Sequence, residues 1–227
     1  MSKVYVFLAD GFEEIEGLTV VDLLRRAGEE VETVSIMGRK MIEGSHKIKV
    51  EADALFEETD FTEGKMLVLP GGMPGTRHLG AYKPLTDMLC DWDTKGKQLA
   101  AICAAPSVFG DLGILNGKEA VCYPGFEERL TGATIGEGTV AVTDHVITSR
   151  GMGTAIDFAA ALIARLQDEK KAEEIKASII YRQYCRDGSM HVSERNCAKS
   201  LKNQEKALKT AKKAGVFKGL MIYYSDV

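Results

Sequence analysis

Short apolar runs that alternate with helix-forming stretches constrain this chain more than any other feature. "KVYVFLAD" (3–10) is β-branched and aromatic without polar alternation, the pattern of a strand buried on both faces. A helix follows from about Glu13, with Val20, Leu23, Leu24 and Ala27 on one face and Gly28 at its end. "VETVSI" (31–36) completes a βαβ unit, and "KMLVLPGG" (65–72), "KQLAAIC" (97–103) and "HVITSRG" (145–151) read as further strands. Helices are expected over "TAIDFAAALIARL" (154–166) and, more polar, over 168–181. Such alternation predicts an α/β fold, a three-layer α/β/α sandwich around a mostly parallel sheet.

In sheets of this kind ligands bind outside the carboxyl ends of the strands. Those ends carry "DGFEE", "PGGMPG", Cys103 and "SRGMG". Four unusual stretches thus fall on one edge of one sheet, which predicts a site there.

The cysteine stands in "LAAICAAPSVFG" (99–110), at a strand-to-helix turn with Ala101 and Ala105 two positions to either side. A nucleophile on so sharp a bend needs small neighbours. Pro106 suits the first turn of a helix. A thiol just before a helix start should feel the positive end of its dipole and have a lowered pKa. The plainer alternative is a buried cysteine acting as a small hydrophobe. Cys122, in "VCYPGF", is the other thiol of interest.

A thiolate that attacks carbonyls needs a proton shuttle and donors for the developing oxyanion. Glu13, Glu14 and Glu16 open the first helix, where acidic side chains also complement the dipole, and spacing does not choose among them. The amides of Gly72 and Met73, beside that of Ala104, are candidate donors, although a glycine pair also serves a tight turn. Nucleotide binding is rejected. "LPGGMPG" lacks the Gly-Lys-Ser/Thr of a phosphate loop, and Ile156 holds the third glycine position of a dinucleotide fingerprint in "RGMGTA".

Five cysteines without a C-x-x-C pair, and four scattered histidines (His46, His78, His145, His191), show no zinc-like spacing. No metal or cofactor is expected, and free thiols fit a reducing compartment. "KVYVFL" is too short for a signal peptide and no apolar run approaches a bilayer span, so a cytoplasmic protein with no membrane partner is expected. The net charge of −4 is unevenly spread. From Arg182 onward ten Lys/Arg face four Asp/Glu, a net of +6, while the rest carries −10. This shift predicts an α/β domain over 1–181 and a basic extension over 182–227.

The stretches "GFEEIE", "LLRRAG", "LVLPGGMPG", "AAICAAP", "CYPGFE" and "TSRGMGT", in that order, resemble the ThiJ/PfpI superfamily. The similarity is to the branch of the Parkinsonism-associated deglycase and its bacterial relatives, and it runs from residue 3 to about 181. The resemblance implies a flavodoxin-like sandwich and a homodimer. It assigns Cys103 as nucleophile and Glu16 as the glutamate hydrogen-bonded to it. It puts Gly72 and Ala104 on oxyanion-type amides, and Ser149 and Arg150 on a polar loop near the site and dimer contact. Ala104 stands where peptidase-type members carry histidine, which argues against peptidase activity. Tyr123 stands where deglycase-like members often carry histidine, and a phenol is a poorer base at neutral pH.

The implied activity is a cofactor-free glyoxalase or protein deglycase, acting on a small aldehyde such as methylglyoxal or on a glycated adduct. The competing reading is a redox sensor or stress chaperone that oxidises at Cys103 without turnover. A third, thiamine (thiazole monophosphate) biosynthesis, is a family label for which no phosphate or thiazole site is visible. In the extension, "KSLKNQEKALKTAKKAG" (199–215) reads as an amphipathic basic helix, and "VFKGLMIYY" (216–224) as a short apolar segment. A solvated helix is favoured there over one that binds an acidic partner or nucleic acid.

Overall fold

The computed structural model describes residues 3–181; the extension and its expected helix lie outside the described residues. Strand β1 (Lys3–Leu8) leads into helix α1 (Glu14–Arg26) and strand β2 (Val31–Ser35), the anticipated βαβ unit. A hairpin of β3 (Met41–Glu43) and β4 (Lys49–Glu51) follows, then β5 (Ala54–Leu55) and β6 (Gly64–Leu69). Helices α2 (Gly75–Ala81) and α3 (Lys83–Thr94) precede β7 (Gln98–Ile102) and the short α4 (Pro106–Asp111). A small pair, β8 (Glu119–Ala120) and β9 (Thr134–Ile135), stands apart from the main sheet. The chain then runs through β10 (Val140–Thr143), β11 (Val146–Ser149), α5 (Ala155–Leu166) and α6 (Glu169–Ser178).

Seven strands form the sheet, in the order β10-β11-β7-β6-β1-β2-β5. Every neighbouring pair is parallel except β10 with β11, so the sheet is mixed only at one edge. The two-residue period of a strand sends β1 side chains to both faces. Val4, Val6 and Leu8 pack with Val20, Leu23 and Leu24 of α1 and Phe158 and Leu162 of α5. Tyr5 and Phe7 pack on the other side with Leu79, Leu85, Leu89, Trp92 and Phe109 from α2, α3 and α4. Two cores share one sheet, and the three-layer sandwich expected from the alternation is the fold found. Residue Gly28, with φ +90°, follows α1 as anticipated. Among the described residues no helix is long and apolar enough to cross a membrane.

Candidate active site

The order β11-β7-β6-β1 makes four strand ends neighbours, so the turns after them meet at the carboxyl edge. Cys103 follows β7 directly and takes φ +66°, a left-handed conformation that costs a residue with a side chain about 1–3 kcal/mol. Its backbone is tied on both sides. The Cys103 N–H donates to the Ser149 carbonyl at 2.9 Å, and the Cys103 carbonyl accepts from the Tyr123 N–H at 2.8 Å. The small neighbours anticipated for the elbow, Ala101 and Ala105, are buried, as is Ala104. Against the plainer expectation, Cys103 itself is only partly buried.

Glu16 lies in the first turn of α1 with 1% of its surface exposed. It hydrogen-bonds the Cys103 thiol and accepts from the Gly71 N–H at 2.9 Å and from the Met152 N–H. Among the three glutamates, it is therefore Glu16 that the fold brings to the cysteine; Glu13 and Glu14 face Ser45 and His46 of the β3–β4 hairpin. Gly71 is the hinge of this arrangement. A Cβ there would lie 2.6 Å from both Cys103 Cβ and Glu16 Oε2 and 2.9 Å from the Ile102 carbonyl, so only glycine lets β6 end beside the pair.

The amides of Gly72 and Ala104 hydrogen-bond the Cys103 sulfur itself, where the sequence suggested donors to a substrate oxyanion. Gly72 reaches this position with φ +90°. Met73, the third suggested donor, follows it in the same turn with its side chain partly exposed. Tyr123 is half exposed at the edge of the site, its ring 3.3 Å from where a Gly151 Cβ would stand. The buried Ser149 hydroxyl is spent on the Thr139 carbonyl (2.9 Å) and Thr154 Oγ1 (2.7 Å), so its contribution is the carbonyl that anchors Cys103. Arg150 lies near enough to Cys122 and Glu127 to influence both electrostatically. Cys122 is buried among the core side chains of the opposite face and remains free, like Cys90 and Cys103.

Burial pushes the Glu16 carboxyl up to about 7, against the pull of its hydrogen bonds from Cys103 and Gly71. Burial, the Glu16 charge and the hydrogen bond to Glu16 push the Cys103 thiol up to about 12, while the Ala104 and Gly72 amides oppose them. The expected lowering by a helix start is thus overturned. Helix α4 is only six residues long, and burial of the thiol, together with a carboxylate in contact, outweighs its dipole. Two of the three causes raising Cys103 act only while Glu16 is charged. Protonation of Glu16 therefore lowers the thiol's pKa, although burial continues to oppose the thiolate.

Gly71 and Met152 are the site residues that the sequence reading passed over. The glycine pair ending an apolar strand was the available signal for Gly71. Met152 acts through its backbone, which side-chain chemistry cannot announce.

A flavodoxin-like sandwich with a cysteine elbow facing a buried glutamate defines the class, and the chain belongs to the DJ-1/PfpI family, whose model matches residues 2–165. Within it the chain sides with the DJ-1 homologues. It is 38% identical over 182 residues to protein DJ-1 homolog B of Arabidopsis thaliana, covering 79% of this chain and 42% of that protein. It spans less than half the length of both Arabidopsis relatives it matches. The structure of Toxoplasma gondii DJ-1, oxidized, aligns with a TM-score of 0.77 at 37% identity, covering 80% of this chain and 99% of that one. A protein of Pyrococcus abyssi (strain GE5 / Orsay) named a deglycase is 30% identical over 153 residues, 66% of this chain and 91% of its own length.

Proposed function

We propose that this chain is a cofactor-independent, cysteine-dependent glyoxalase and protein deglycase that acts on α-oxoaldehydes such as methylglyoxal, or on their adducts. The observation that carries the reading is the Cys103–Glu16 contact, a thiol held between two amides and hydrogen-bonded to a carboxyl poised near neutral pH. The Pyrococcus abyssi relative's name supports it. The Cys103 sulfur adds to the aldehyde carbon as its proton passes through Glu16 to the carbonyl oxygen, giving a hemithioacetal. The Glu16 carboxylate then removes the C1 proton and returns it to C2, through an enediol. The resulting lactoyl thioester is cleaved by water, which releases lactate and restores the thiol. On a hemithioacetal or aminocarbinol adduct the Cys103 sulfur replaces the bound sulfur or nitrogen at C1: the old C–S or C–N bond breaks, the departing group takes the thiol proton by way of Glu16, and the free thiol or amine leaves. In methylglyoxal without glutathione, wild-type protein should form lactate, and Cys103→Ser and Glu16→Gln should each abolish it. Turnover surviving in Cys103→Ser would end the proposal.

A second reading, redox sensing, is favoured by the same two amides and by the relative solved in oxidized form. Peroxide would convert the Cys103 thiolate to a sulfenate and, with a second equivalent, a sulfinate held by protonated Glu16 and the amides. Two oxygens taken up at Cys103 without any lactate formation would select it. We also propose a homodimer, supported by exposed apolar side chains at Ile15 and Leu18 of α1 and at Met41 and Ile48 of the hairpin region. The free thiols support a reducing, cytoplasmic setting.

A further inference from the structure

At Gly71 crowding demands a glycine; at Gly151, in the turn after β11, it does not. The Gly151 backbone is extended, with φ 163° and ψ −171°. Thr154 fixes it: the Gly151 N–H donates to Thr154 Oγ1 at 3.2 Å, and the Gly151 carbonyl accepts from the Thr154 N–H at 2.8 Å and hydroxyl at 2.9 Å. The three nearest atoms that a Cβ would meet all belong to side chains, Tyr123 Cδ2 at 3.3 Å, Tyr123 Cε2 at 3.8 Å and Glu16 Oε1 at 3.9 Å. The missing side chain thus leaves a space between an aromatic ring and the Glu16 oxygen that Gly71 does not take. Tyr123 is held there by its main chain. Its N–H donates to the Cys103 carbonyl at 2.8 Å, and its carbonyl accepts from the Phe126 N–H at 3.1 Å. The ring is half exposed, and among the described residues nothing hydrogen-bonds its hydroxyl. Met152, next to Gly151, and Met73, next to Gly72, are further large apolar side chains that these turns expose. Neither Tyr123 nor Gly151 belongs to α1 or the β3–β4 hairpin, which carry the proposed subunit contact.

We propose that the space over Gly151 receives the C2 substituent of the oxoaldehyde, with the Tyr123 ring as its wall, so that the protein selects aryl α-oxoaldehydes over glyoxal and methylglyoxal. This assignment rests on Cys103 and Glu16 acting as proposed. Glu16 must reach both C1 and C2 to move a proton between them, so the group borne by C2 lies beside its carboxyl. On that carboxyl Oε2 is closed by the Gly71 N–H, whereas the opening at Oε1 leads onto the Tyr123 ring. The hydrogen of glyoxal leaves the ring wet, and a methyl group covers little of it. A phenyl group displaces water from the ring and adds an aromatic contact. The chemistry balances as it does for the smaller substrates. In phenylglyoxal C1 is oxidised to carboxylate, C2 is reduced to the carbinol carbon, water is the co-reactant and mandelate the product.

Initial rates of mandelate formation from phenylglyoxal and of glycolate formation from glyoxal, with full-length protein, give the selectivity as a ratio of kcat/KM. Wild type should favour phenylglyoxal at least about 10-fold. That ratio should fall at least about 10-fold in Tyr123→Ala, which removes the wall, and in Gly151→Ala, which fills the space, and stay within about twofold in Tyr123→Phe. A wild type that favours glyoxal, or a ratio unmoved in either alanine variant, would overturn the proposal and leave the activity standing. Absence of product from every oxoaldehyde would instead end the proposed activity, and binding then decides. 2-Hydroxyacetophenone and hydroxyacetone, which carry no aldehyde, are compared as protectants of Cys103 against alkylation, followed by mass. The aryl compound should protect at an at least about 10-fold lower concentration, and that advantage should vanish in both alanine variants. Equal protection by the two compounds would overturn the proposal.

Discussion

Replacing Glu16 with glutamine tests the reading of the site through stability, without any substrate. Glutamine has nearly the same shape and keeps an oxygen that can accept from the Gly71 amide, but it never ionises. The native carboxyl titrates near 7 against an ordinary 4.5, a difference worth about 3 kcal/mol. Below pH 4.5 folded and unfolded wild type both keep the proton, and the carboxyl carries no penalty. As pH rises through 7 the stability contributed by the tightly held proton is lost. The variant should therefore gain on wild type by about 3 kcal/mol between pH 4.5 and pH 8, whatever its stability at the lower end. For a chain of this size that is roughly 6–12 °C in relative melting temperature. Thermal and urea denaturation of both proteins across this range measure it. In parallel, the midpoint for alkylation of Cys103 should move below that of wild type, because the neighbouring charge is gone. Parallel stability curves, or a variant that gains as pH falls, would show that the carboxyl is not held neutral by burial.

Two further substitutions probe the backbone. Gly71→Ala, at a position without positive φ, tests space alone: its methyl group would meet Cys103, Glu16 and the Ile102 carbonyl at 2.6–2.9 Å. It should cost about 1–3 kcal/mol in urea unfolding and, by displacing Glu16, about 100-fold in any turnover; wild-type behaviour in both would refute the crowding. Because Cys103 sits at φ +66°, Cys103→Gly should be more stable than Cys103→Ala by about 1 kcal/mol, the reverse of the order in helices and strands. The same denaturation assay decides, and an alanine variant that equals glycine would mean the elbow relaxes.

The central strands were legible because each is a short apolar run with a turn behind it, a pattern that puts their ends on one edge of the sheet. The β3–β4 hairpin was not. Its strands are three residues long, Met41 and Glu43 face solvent around a buried Ile42, and nothing in "MIEGSHKIK" alternates for long enough to register. Helices α2 and α3 were also passed over, since Gly75, Gly80 and Pro84 punctuate the stretch that forms them. At the site, residue type and turn position indicated Cys103, but Glu16 was separated from Glu13 and Glu14 only by resemblance. Helical spacing leaves all three in one turn, and the fold then buries Glu14 and Glu16 in different surroundings. The sign of the thiol's shift was misread for a related reason. A helix start is visible in sequence, whereas the burial of the thiol and a carboxylate arriving from 87 positions away are not.

The tethering of Cys103 through its own N–H and carbonyl gives the elbow an inheritance of its own. The bonds run to Ser149 and Tyr123, backbone to backbone, and ask nothing of the side chains at either position. A descendant sequence can therefore exchange the residue at 123, and with it one wall of the site, while the sulfur stays where the sheet has put it. Changes along the rim would alter what meets Cys103 and Glu16 without moving either of them.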